Sequence, residues 1–227
     1  MLKAIIAFGS KEVSDEQLTD ALWPEADGDV ASLSFRTTLH RLRQLIGQEG
    51  AIELKEGRIT LSPLYCWVDA WAFQRLEEKS EELWKDYRTN HRIKSDTAGI
   101  PELIKAYENA VDIYRGEFLP GDHKLSWTIS MRERLKSKFI RLIGRLASYY
   151  EQGGQWERVV ECHERALEVD DLQEEFYRRL MLAFHKIGKN AEALATYERC
   201  RKILSLVLGT EPSPETEALR NKIRNSK

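Results

Sequence analysis

The amino-acid sequence predicts a mostly α-helical chain in two parts, and three observations carry that reading. From Asp29 to Ile46 the apolar residues Ala31, Phe35, Leu39, Leu42 and Ile46 fall four, four, three and four apart, which stacks them on one side of a helix. The pattern then changes to alternation, in Ile52-Glu53-Leu54-Lys55 and Arg58-Ile59-Thr60-Leu61 about a Glu56-Gly57 turn, the mark of a β-hairpin. Further on, two stretches align at an offset of 34 residues, the spacing of stacked helix pairs.

The chain has 227 residues, 42% hydrophobic and 32% charged, with a formal net charge of −2. That length suits one large or two small domains. Three widely spaced cysteines, Cys66, Cys162 and Cys200, argue against a disulfide framework and for a reducing compartment, so a cytoplasmic protein is expected. The early apolar run LKAIIAF lacks a small-residue cleavage site and reads as no signal peptide. No apolar run approaches the roughly 20 residues that span a bilayer, so no membrane is expected as a partner.

Taken in order, Leu2 to Ala7 reads as a short helix ending at Gly9. Ser14, with Gln17 three residues on, forms a capping box for a helix that carries Leu18, Ala21 and Leu22 inward and stops at Trp23-Pro24. The helix from Asp29 follows, about 27 Å long at 1.5 Å per residue, with Asp29 placed to cap it and Gly47 to end it. Opposite its apolar stripe lie Ser34, Thr37, His40, Arg41 and Gln44, flanked by Arg36, Thr38 and Arg43. One greasy face and one face of arginines and short hydroxyls is the physical form of a DNA recognition helix, and a solvated amphipathic helix has the same pattern. Ile52, Leu54, Ile59 and Leu61 of the hairpin are available to the core. Lys55 and Arg58 flank its turn, placed for phosphate or as an ordinary charged tip. Helix, helix, longer basic helix, hairpin is the order of a winged helix-turn-helix with the hairpin as the wing. Residues 1–65 carry seven Lys and Arg against ten Asp and Glu, so any DNA contact comes from local placement.

VSDEQLTDALWP, TTLHRLRQLIG, the hairpin and WVDAWAF together resemble the DNA-binding domain of SARP-type bacterial activators, an OmpR-type winged helix. The resemblance implies base-edge contact from Thr37, Thr38, His40 and Arg41, with Ser34 and Arg43 nearer phosphate and Arg41 suited to guanine O6 and N7. That family's fold begins with a small antiparallel sheet, and this chain starts inside the helix that follows it. The first domain, residues 1–68, is therefore expected to be a truncated winged helix-turn-helix. The wing also departs from the family, reading KEGRIT where a Gly-Gly-aromatic turn is more usual.

Residues 69–227 form the expected second domain. Asp69 caps a helix to about Arg88, with Phe73, Leu76, Leu83 and Trp84 inward and the acidic run 77–82 as a solvated face; Thr89 to Gly99 reads as a loop. Pro101 opens a helix containing Leu103, Ile104, Tyr107, Val111 and Tyr114, GEFLPGDH turns, and a long helix runs from about Ser126 to Glu151. GQWERVVECHERAL (154–167) and GKNAEALATYERCR (188–201) are the two aligned stretches, with Leu172 to Ile187 between them, and a last helix starts at Ser213-Pro214-Glu215-Thr216. This is the period of tetratricopeptide repeats. YRGEFLPGD, RERL, LASYYEQGG and the run from RRLM to PSPET resemble the bacterial transcriptional activator domain, which follows the winged helix in SARP-type regulators. The resemblance covers Val13 to Leu219 and implies self-association as a homodimer or other protein contacts, and help in recruiting RNA polymerase.

There is no Gly-rich phosphate loop, G-x-S-x-G, H-E-x-x-H or C-x-x-C. No enzyme activity, cofactor or metal is expected; Cys162-His163 beside Cys200 reads as packing. The tryptophans Trp23, Trp67, Trp71, Trp127 and Trp156 read as packing residues. The expected function is a sequence-specific transcriptional regulator, an activator, with double-stranded DNA as partner. Two rivals remain: a tetratricopeptide-like interaction module without DNA binding, and the C-terminal part of a larger ATP-driven regulator.

Overall fold

The computed structural model describes residues 1–9, 11–94 and 99–226, with 88–94 given by backbone alone. The order is α1 (Leu2–Phe8), β1 (Val13–Ser14), α2 (Asp15–Leu22), α3 (Gly28–Ile46), β2 (Ile52–Lys55), β3 (Arg58–Leu61), α4 (Asp69–Lys94), α5 (Ile100–Ile113), α6 (Ser126–Gln152), α7 (Trp156–Val169), α8 (Glu174–Lys186), α9 (Asn190–Leu208) and α10 (Pro214–Asn225). Packing groups Met1–Glu78 with Ile113–Lys136, and Lys79–Asp112 with Ser137–Lys227. These units are discontinuous in sequence, which a boundary drawn at 68/69 along the chain does not express.

In the first unit, Ser14 caps α2 as the capping box predicts, its Oγ accepting from the Gln17 amide at 3.5 Å. Ala31, Phe35 and Leu39 of α3 are buried, as are Ile5, Val13, Leu18, Ile59 and Leu61 of the same unit, and α3 packs on α2. Burying a side chain such as Phe35 or Leu39 contributes about 1.5–3 kcal/mol. Asp29 is not the cap: α3 begins one residue earlier, Asp27 occupies the N-cap position and its side chain makes no capping bond. Gly47, at φ 66°, ends the helix in the left-handed conformation, its amide donating to the Arg43 carbonyl at 3.0 Å.

The hairpin has the expected register, Ile52 opposite Leu61 and Lys55 opposite Arg58. Val13–Ser14 adds an unforeseen third strand on the far side of β3, giving the order β1-β3-β2. Two residues are too short to show alternation. Leu54 is not in the core as expected: it is 36% exposed on the edge strand β2, whereas Ile59, opposite it on the central strand, is fully buried. In α4, Trp71 is buried and its Nε1 donates to the Ile6 carbonyl at 3.4 Å, whereas Trp67 is 71% exposed and packs less than expected.

In the second unit α4 continues to Lys94, so the loop expected from Thr89 is helical that far; its remainder, residues 95–98, lies outside the described residues. Ser80 is buried and Glu81 bonds two arginines, which corrects the solvated acidic face. α7 packs on α8, α8 on α9, and α10 on both α8 and α9. The 34-residue offset reappears in the backbone: α7 and α9 start at Trp156 and Asn190, each preceded by a left-handed glycine, Gly154 at φ 68° and Gly188 at φ 77°. Tyr177, Leu180, Met181, Tyr197, Leu204 and Ile223 form the core of this tetratricopeptide-like stack.

Candidate nucleic-acid interface

The expected site residues in α3 are positioned by its buried stripe. With Ala31, Phe35 and Leu39 inward, the 3.6-residue period turns Thr37, His40 and Arg41 outward, and all three are exposed. Ser34 and Thr38 are half-buried on the shoulder of the same face. Arg43 is exposed at the other shoulder and its Nε donates to the Ile52 carbonyl at 3.1 Å, which ties the end of α3 to the hairpin.

The hairpin turn holds two consecutive left-handed residues, Glu56 at φ 50° and Gly57 at φ 71°. That is the backbone of a two-residue hairpin whose twist matches its strands. At Gly57 the requirement is steric as well, since a Cβ there would lie 3.2 Å from Asp15 Oδ1. The turn sets Lys55 and Arg58 opposite one another across the ladder. Facing like charges repel, and each has a partner that eases this. Lys55 Nζ lies 2.6 Å from Glu53 Oε2, whose hydrogen bond and charge raise the ammonium above its usual range. Arg58 NH1 donates to the Glu12 carbonyl at 3.4 Å. Both side chains are exposed, so these contacts are held loosely against water. Two cations side by side at a hairpin tip present a surface for one phosphate or two neighbouring ones.

The eight expected residues thus fall into two groups, Ser34, Thr37, Thr38, His40, Arg41 and Arg43 on the helix and Lys55 with Arg58 on the hairpin. The Arg43–Ile52 bond is the link between them. Val30 and Leu33, apolar residues outside the expected set, also stand on the outward face of α3, and Leu33 is 68% exposed. Their helical phase is that of Thr37 and His40 and is legible in the sequence.

The cysteine and histidine cluster does not offer thiolates. Burial pushes the Cys162 and Cys200 thiols up to about 12, and burial with the Arg179 charge lowers His163 to about 4. Among the described residues no group of three His, Cys, Asp or Glu side chains is arranged to hold a metal ion, and no helix is long and apolar enough to cross a membrane.

The family model for the bacterial transcriptional activator domain matches residues 68–224. The chain is 27% identical over 224 residues to the regulatory protein AfsR of Streptomyces coelicolor, covering 98% of this chain and 21% of that protein. It is also 27% identical over 227 residues to AfsR of Streptomyces griseus, covering 98% and 22%. The chain therefore spans only about a fifth of the length of these curated relatives. The solved structure of Mycobacterium tuberculosis EmbR in complex with a low affinity phosphopeptide has the same fold, with a TM-score of 0.67 at 20% identity over 98% of this chain and 57% of that one. This chain belongs to the bacterial transcriptional activator domain family, that of the SARP-type regulators.

Proposed function

We propose that the chain is the DNA-reading and protein-contacting part of a transcriptional activator, with α3 lying in the major groove of double-stranded DNA and the hairpin resting on the adjacent backbone. The observation that carries this reading is the outward face of α3, where Thr37, His40 and Arg41 stand exposed beside a pair of cations at the hairpin tip. Arg41 suits guanine, whose O6 and N7 accept from one guanidinium together. Thr37, Thr38 and His40 reach neighbouring base edges, and Val30 and Leu33 suit thymine methyl groups. Ser34, Arg43, Lys55 and Arg58 serve phosphates and set the register. Arg43 does so with its terminal nitrogens, its Nε being bonded to Ile52.

The tetratricopeptide-like unit supplies protein contacts: a second copy of this chain on repeated half-sites, and RNA polymerase at the promoter. Such a regulator works in the cytoplasm. The acidic balance of residues 1–65 favours a second reading, an interaction module that does not touch DNA.

Selection from a random double-stranded DNA pool, followed by titration of binding against salt, separates the two. Enrichment of a repeated half-site, with affinity falling steeply as salt rises, is the expected outcome. No enrichment and a flat salt response would leave the interaction module.

A further inference from the structure

Gly144 stands in the middle of α6, where glycine costs about 1 kcal/mol relative to alanine. Its backbone does not require glycine, being neither at positive φ nor against a neighbour: a Cβ added there meets nothing within 4 Å. The missing side chain opens onto a cavity of about 610 Å³ in the second unit. Aromatic rings make much of its wall, from Trp84 and Tyr87 of α4, Tyr107 of α5, Tyr149 of α6 and Phe176 of α8. Volume and lining are those of a small-molecule site.

Two polar groups break the apolar wall. Tyr107 is 1% exposed, and the geometry gives its hydroxyl no hydrogen-bond partner among the described residues. A buried phenol without an acceptor is costly. Burial raises its pKa, and the neighbouring Arg145 guanidinium acts in the opposite direction. Arg145 lies 5.2 Å over the Trp84 ring and donates through NH1 to Glu81 Oε1 at 2.6 Å, the oxygen that also takes Arg141 Nε at 3.1 Å. One carboxylate between two guanidiniums leaves the polar end of the cavity net positive.

We propose that this cavity binds a small aromatic carboxylic acid, its ring between the aromatic walls and its carboxylate accepting from Arg145 and Tyr107. The ring is favoured over an aliphatic chain because the walls offer faces for stacking. The acid is favoured over an amide because the hydroxyl needs an acceptor and the local charge is positive. Such a ligand would give a regulator of transcription a chemical input through its helical unit.

Calorimetric titration of the full chain with 2-naphthoate, and with the uncharged 2-naphthamide, tests this. One molecule of naphthoate should bind per chain, at least tenfold more tightly than the amide. Gly144→Leu should abolish binding while melting at or above the wild-type temperature, since leucine fills the space and favours the helix. Tyr107→Phe should weaken naphthoate about tenfold, the effect of one hydrogen bond to a charged group, and leave the amide unchanged. The proposal is overturned if naphthoate does not bind, if the folded Gly144→Leu protein binds it as wild type does, or if acid and amide bind alike.

Discussion

Arg43 bonds the last turn of α3 to the first strand of the hairpin, its Nε donating to the Ile52 carbonyl at 3.1 Å. The bond ties helix to hairpin through a side chain that is otherwise exposed. Arg43→Ala should cost about 1 kcal/mol of stability, read as a lower urea midpoint. Arg43→Lys should not restore it, because lysine has no donor at the Nε position. An unchanged midpoint in both variants would show that the bond contributes nothing.

Arg41 is exposed and has no structural task in the first unit's core. Arg41→Ala should therefore leave the thermal midpoint in place and weaken a selected DNA site by about 1–3 kcal/mol, relaxing the preference at one base pair. Competition binding against single-base variants of that site reads the change. Equal affinity of wild type and variant for every competitor would remove Arg41 from base reading.

Lys55→Ala should act differently, lowering affinity for all duplexes alike and reducing the slope of log affinity against log salt by about one. Glu53→Gln is the informative companion, since it frees Lys55 from its carboxylate. It should strengthen binding to every sequence; a weakened or sequence-dependent response would contradict phosphate contact at the tip.

His163 makes stability depend on pH. It is buried, 3.9 Å from Glu151 and near Arg179, and its pKa is lowered from 6.5 to about 4. Above pH 6.5 neither state carries the proton. Between 6.5 and 4 the unfolded chain takes it up while the folded protein does not, so stability falls as pH falls, by up to about 3 kcal/mol. His163→Gln should flatten this part of the urea-midpoint profile between pH 7 and pH 4.

Ser213 caps the N-terminus of α10. Its Oγ accepts from the Thr216 amide at 3.4 Å and donates to Glu174 Oε1 at 2.6 Å, and its amide donates to the same oxygen at 2.8 Å. Ser213→Ala should cost about 1–2 kcal/mol, whereas Ser213→Thr should retain most of the stability. Equal thermal midpoints for Ser213→Ala and wild type would show the cap to be dispensable.

Local chemistry made much of this legible in the sequence. The capping box at Ser14, the helix start at Ser213-Pro214, the left-handed Gly47 and the Glu56-Gly57 turn each act within a few residues, and each appears where the pattern puts it. What escaped depends on partners distant in the chain. The two-residue strand at Val13 exists only because β3 is there to pair with it. Arg43 and Arg58 read as cations for phosphate, yet each also bonds a backbone carbonyl that no periodicity reveals. Glu81 sits in a run that looks solvated until Arg141 and Arg145 of another helix arrive beside it. The same holds for the cavity at Gly144, which needs three other helices to form its walls.

The capping network also determines where such a protein can grow. α10 does not simply follow α9; through Ser213 and Thr216 it fastens back to Glu174 on α8. A 34-residue cassette duplicated upstream, between the glycine turns at 154 and 188, would inherit matching surfaces on both sides. The same cassette appended after α10 would meet a helix already bonded to the element two before it. A repeat inserted ahead of α9 should therefore leave the bonds from Ser213 and Thr216 to Glu174 intact.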